Sequence, residues 1–190
     1  WQALADRDEY AAAWQSIERQ GGFDTVVGKA TSAAQLMSLV DVARANGQRG
    51  AAITALRAVV EKHAGDPRAA LAAYTLGNML EKAGDRAGAT KAYAAYRSLS
   101  PKGDFAEDAL ARQIDGAIAQ GNVDQAKQLV EQYAKDFPTG RRLGELRTRV
   151  GKLAGVNAGA AVADAGVGED DTPFDEVDDD STSKPKTKSK

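Results

Sequence analysis

Few side chains in this 190-residue sequence keep the company that catalysis demands. His63 is the only histidine. It stands at the end of a helical stripe, where its charge complements the helix dipole, and no serine or acid constellation surrounds it in sequence. The chain has no cysteine, which excludes thiolate zinc sites, cysteine nucleophiles and disulfide frameworks. The carboxylate groups Asp6/Asp8/Glu9 and Asp104/Glu107 stand where first-turn and capping residues stand. Near the C-terminus the run DTPFDEVDDDST has the composition of a calcium loop but lacks its central glycine and closing glutamate. The Gly-x-Ser-x-Gly, Gly-x4-Gly-Lys-Ser/Thr and His-Glu-x-x-His patterns do not occur. The expectation is a non-enzyme with no catalytic residue, no metal and no cofactor.

What does recur is a spacing. Gly47, Gly84 and Gly121 stand 37 residues apart, each followed five residues later by alanine (Ala52, Ala89, Ala126). Pro101 and Pro138 come seventeen residues after the second and third glycines, with Ala64 at that place in the first copy. Self-similarity of this length signals stacked supersecondary units, each burying its apolar face on its neighbours. Apolar residues at three- and four-residue spacing on both sides of each glycine make the unit a pair of helices.

The first copy carries Leu36, Leu39, Val40 and Ala43, then Ala52, Leu56, Val59 and Val60. The second opens at Asp66-Pro67, an N-cap followed by a proline at a first helical position, and carries Ala73, Leu76, Gly77 and Leu80. After Gly84 it restarts at Asp85 and packs Ala89, Tyr93 and Tyr96. The third is expected to begin at Asp104, with Glu107 in the reciprocal capping position. It carries Leu110, Ile114 and Ala117, restarts at Asn122, and packs Ala126, Val130 and Tyr133. Ser32 with Gln35 forms a capping box before the first copy. Upstream, Tyr10, Ala13, Trp14 and Ile17 read as half a repeat, with Asp8 standing where later copies carry glycine, and residues 24–30 read as a connector. Four segments are therefore expected: residues 1–30, a leading helix and connector; 31–140, three hairpins; 141–154, a basic capping helix; and 155–190, a disordered tail. That tail holds nine acids and four lysines, so it carries about −5 of a net −2 and leaves the helical body near +3.

These residues resemble the tetratricopeptide repeat family, whose motif runs Leu-Gly, a glycine turn, alanine, an aromatic four residues later and a closing proline. The second copy supplies Leu76-Gly77, Gly84, Ala89, Tyr93 and Pro101. Ala73 replaces a usual large residue, Gln113 falls at a core position of the third copy, and the period exceeds the family's by three. The resemblance implies an all-α, right-handed superhelix of stacked hairpins whose first helices line a concave groove for peptides. It places Met37, Tyr74 and Ala111 in one groove column and Asp41, Asn78 and Asp115 in another, with Arg44 and Glu81 beside them. The endings EKHAGDPRA and KDFPTGRR are similar to bacterial cell-envelope repeats of the TolA-binding type. The segments LADRDEYAAAW and FAEDALARQID are similar to the repeat region of FecR-type regulators.

The expected function is a protein–protein interaction module of the bacterial periplasm or cell envelope, taking a protein or peptide partner in the groove; a cytoplasmic setting stays open. The alternative is the output region of a larger FecR-type signalling regulator. The near-neutral charge argues against a nucleic-acid partner. The sequence opens at Trp1 already in amphipathic helix, so it reads as a piece of a longer chain, with any membrane contact made through a segment before it.

Overall fold

The computed structural model describes residues 1–164, and all regular structure among them is helical. The helices are α1 (Gln2–Ala5), α2 (Tyr10–Arg19), α3 (Phe23–Lys29), α4 (Ala33–Ala45), α5 (Arg49–Lys62), α6 (Arg68–Lys82), α7 (Arg86–Leu99), α8 (Ala106–Ala119), α9 (Val123–Asp136) and α10 (Leu143–Asp164). They pack in chain order, α4 on α5, α5 on α6, and so on to α9 on α10, as an α-solenoid does.

The hairpins share one turn. At Gly84 the glycine N–H donates to the Glu81 carbonyl, the Asp85 N–H to Leu80 and the Arg86 N–H to Gly84 itself. The same three bonds recur at Gly47 and Gly121, and a left-handed residue sits at the centre each time, at φ 69, 83 and 70° in chain order. This is the Schellman closure, which needs a residue at positive φ after the last helical turn. Asp8, at φ 60°, makes the same three bonds, so α1 and α2 are joined by the same turn without a glycine.

Caps set the helix starts. The Asp85 and Asn122 side chains accept from Gly88 and Gln125 N–H, and Asp66 Oδ1 accepts from Arg68 N–H at 2.8 Å. Ser32 Oγ accepts from Gln35 N–H, while Gln35 Oε1 reaches back to the N–H of Thr31, one residue beyond the expected reciprocal bond. The box expected at Asp104 and Glu107 does not form. Phe105 stands at the cap position, its N–H donating to the Tyr96 hydroxyl at 3.0 Å, and Glu107 is drawn instead to Tyr133 of the next hairpin.

Two further segments differ from expectation. Residues 24–30, read as connector, lie largely within α3 (Phe23–Lys29), because Phe23, Val26 and Val27 repeat at helical spacing and bury against the array beside α5. The last helix continues to Asp164, ten residues past the boundary at 154. Ala158, Ala160, Ala161 and Ala163 there are the strongest intrinsic helix formers, which outweighs the interspersed glycines. The remainder of the expected disordered tail, 165–190, lies outside the described residues.

The core is built from alanines, leucines and a few tyrosines, with Tyr93 and Tyr133 buried whole. Close approach of α6 and α7 depends on Gly77, where an added Cβ would meet Tyr93 Cε1 at 2.5 Å. Gln113 occupies the place Leu39 and Leu76 hold in the earlier copies; it is 4% exposed and its Nε2 has no hydrogen-bond partner. A buried donor left unmade costs its full desolvation.

Two outcomes follow. Gln113→Leu is expected to stabilise the chain by about 1–2 kcal/mol, since it removes an unpaired amide and restores the apolar repeat position. Gly77→Ala is expected to destabilise it by about 1–3 kcal/mol through overpacking against a ring that hydrogen bonds hold in place. Urea denaturation of both variants checks the opposite signs.

Candidate functional site

The face carried by the first helices α4, α6 and α8 is the candidate binding surface. On α6, Leu71, Tyr74, Asn78 and Glu81 fall at three- and four-residue spacing and so share one side. Tyr74 is the centre of an aromatic cluster. Its ring stacks on Phe105 with centroids 4.4 Å apart and meets Tyr96 and Tyr93 at 5.5 and 5.7 Å. Its hydroxyl donates to Asp108 Oδ2 at 2.6 Å, which joins α6 to α8.

A polar lattice lies over this cluster. The Tyr93 hydroxyl is 2.9 Å from both Asn78 Oδ1 and Glu81 Oε2, so one phenol proton serves two acceptors. Arg112 donates from NH1 to Glu81 Oε2 at 2.6 Å and from Nε to Asp108 Oδ2 at 2.7 Å, with its guanidinium 5.7 Å from the Tyr93 ring centroid. Burial, and after it the Glu81 hydrogen bond, pushes the Tyr93 phenol well above the ordinary tyrosine range; the same two causes, with Asp108 as acceptor, raise Tyr74. These tyrosines stay protonated donors and are fastened to the scaffold.

Farther along, Asp115 is held by α10 and the turn before it. Arg142 grips it through NH1 and NH2 at 2.9 and 3.2 Å, and Arg149 adds a bond to Oδ1. Glu145 accepts from both arginines, and the Arg142 bond, chief among the causes, holds its carboxyl below the usual range.

The groove residues named from the sequence therefore divide. Asn78, Glu81 and Asp115 are occupied by Tyr93, Arg112 and the pair Arg142 and Arg149. Ala111 is buried at 1% exposure and offers no surface; the close packing of α8 that seats its neighbours covers it. Met37 and Tyr74 are half-buried against the core. Asp41 is exposed and makes no hydrogen bond or ion pair among the described residues; partial desolvation raises its pKa, and the field of Arg44 opposes that. Arg44 is exposed as well. The acidic and amide side chains thus do not form one open row: the 37-residue register aligns them, and local partners close two of the three.

Sequence reasoning passed over Leu71 and Phe105, which are 51% and 40% exposed beside Tyr74. Leu71 was legible, since it lies one turn before Tyr74 on the same face and 37 residues before Asp108. Phe105 was not, because it sits in a loop that periodicity does not describe.

Among the described residues no group of three or more acids or histidines is placed to hold a metal ion, and no helix is long and apolar enough to cross a membrane. No protein-family model matches this chain, and no curated protein matches its sequence.

Tyr133 repeats the role of Tyr93 one hairpin on. Its hydroxyl donates to Glu107 Oε1 at 2.6 Å, and burial together with that carboxylate pushes its pKa up to about 12. Because the unfolded phenol ionises near its ordinary value, folding stability is expected to fall as pH climbs from about 10 towards 12. Denaturation at several alkaline pH values checks this, and Tyr133→Phe should make the fall shallower while leaving the contributions of Tyr93 and Tyr74 in place.

Proposed function

We propose that this chain is a non-enzymatic protein–protein interaction module, a tetratricopeptide-like scaffold that takes an extended or helical peptide of a partner protein along the α4–α6–α8 face. The observation that carries this reading is the solvent-exposed pair Leu71 and Phe105, set on either side of Tyr74 on a surface whose polar groups are already tied to the scaffold. Apolar side chains held rigid at the centre of a polar surround are the anchors that interfaces use, because little further entropy is lost when they are covered. Asp41 and Arg44, exposed on the neighbouring first helix, supply charges that set register and orientation at the rim.

The setting that fits best is the bacterial periplasm or cell envelope. What supports it is the similarity of the repeat endings to envelope repeats of the TolA-binding type. In that setting the module would dock a partner during assembly or signalling.

The reading is tested by selecting peptides on the full chain and comparing affinities by fluorescence anisotropy. Leu71→Asp and Phe105→Ala should each weaken the selected peptide about tenfold or more, the scale of losing one apolar anchor. Asp41→Ala should weaken it only a few-fold, as rim charges do. Unchanged affinity in both the Leu71 and Phe105 variants, with unchanged melting, would remove this face from consideration.

A further inference from the structure

A second feature of the array concerns charge. Between the α4–α5 turn and α6 lies an open cleft of about 430 Å³, lined by Arg44, Gly47, Arg49, Thr75, Asn78 and Lys82. Three of these are exposed cations, and none is within ion-pair distance of an acid among the described residues. Asp41, one turn before Arg44 on α4, acts on it through its field without touching it. The amides that open α5 add to the positive character, for Gln48 supplies no side-chain cap where Asp85 and Asn122 cap α7 and α9.

The repeat provides an internal comparison. Thirty-seven residues on, the equivalent cleft has Glu81 in place of Arg44, Arg112 in place of Thr75, Asp115 in place of Asn78 and Ala119 in place of Lys82, and keeps a cation, Arg86, in place of Arg49. There both acids are paired: Arg112 binds Glu81 at 2.6 Å, and Asp115 is held by Arg142 at 2.9 Å and by Arg149. Among the charged side chains that line the niche, two of five are acids in one copy and none of three in the other. Architecture alone does not explain three like charges around one cleft, which repel one another until an anion joins them.

We propose that this cleft is the docking site of the chain's own acidic run, residues 169–180. That run holds eight carboxylates and no lysine or arginine, and begins five residues beyond Asp164, where α10 ends. The sixteen residues 165–180 reach up to roughly 55 Å when extended. The cations nearest in sequence are poorer hosts: Arg147 and Lys152 are exposed and make no ion pair among the described residues, but at a spacing of five they do not share one face of α10. Arg142 and Arg149 are already engaged with Asp115 and Glu145, and Arg141 shares its cleft with Asp104, Glu107 and Asp108. Arg44, Arg49 and Lys82 instead bring to one cleft three cations unpaired among the described residues. Arg44 also borders the first-helix face. The docking itself does not depend on whether that face takes a partner.

Zero-length carbodiimide coupling of the full chain at about 0.15 M salt, where exposed charges are screened beyond about 8 Å, tests this. Mixing isotope-labelled with unlabelled chain separates links within one molecule from links between molecules. The expected result is that Lys82 joins carboxylates of 169–180 within one chain several-fold more often than the exposed Lys29, Lys62 and Lys91. Arg44→Ala with Arg49→Ala should bring Lys82 down to the level of those lysines. Both positions are exposed, and a far-UV melt confirms the fold; the preference for Lys82 in the unaltered chain decides the question by itself. Equal yields at all four lysines, a preference for Lys152 of α10, or links found only between molecules would overturn the proposal.

Discussion

The approach of α6 to α7 is limited by one missing carbon. With hydrogen alone at Gly77, the Tyr93 ring lies flat enough against the first helix for its hydroxyl to come through to the far side, where Asn78 and Glu81 receive it. Had the helices been held apart by an ordinary side chain, the hydroxyl would fall short of both acceptors. Glu81 would then lose the arrangement that lets Arg112 bind it while facing the Tyr93 ring. A steric allowance in the core thereby determines the order of charges on the surface.

The consequence is a face that is polar without being open. Its hydroxyls, amides and carboxylates are joined across α6, α7 and α8, so the surface adds rigidity to the stack that the apolar core has already formed. Individually such half-exposed ion pairs contribute little to stability, roughly 0–1 kcal/mol each, so their main effect is positional. They fix Tyr74 against Phe105 and leave the exposed apolar groups as the variable part of the surface.

Much of the architecture was legible because glycine and alanine report directly on backbone geometry. Gly47, Gly84 and Gly121 have positive φ, and the alanines that follow them are buried where helices meet. Asp8 was legible too, since the amphipathic helix after it required a turn where it stands. The helix α3 was missed because Gly22 and Gly28 mask a stripe of only three apolar residues, and the extension of α10 was missed because composition spoke louder than alanine propensity. Side-chain partners were the least legible. Nothing in the 37-residue register states that Asp115 faces two arginines brought round by the next helix but one, or that Glu107 leaves its own helix start for Tyr133. Such pairings depend on how neighbouring units stack, and a one-dimensional pattern carries no term for that.

The apolar interior is not continuous. One cluster runs from Ala5 to Ala109 and a second from Leu110 to Val150, and the two meet within α8, where Gln113 interrupts the apolar column and Phe137 packs against both. In an array whose units gain stability mainly from their neighbours, a weak junction divides cooperativity. The molecule is accordingly expected to open in two parts of unequal size. The smaller, made of α9, α10 and the adjoining side of α8, is expected to expose its amides to hydrogen exchange before the larger does. The ion pair between Arg97 of α7 and Asp136 of α9, at 3.2 Å, crosses that junction, so it acts as a latch between the two parts, and whatever draws it away lowers the free energy of sub-global opening at the C-terminal end of the array.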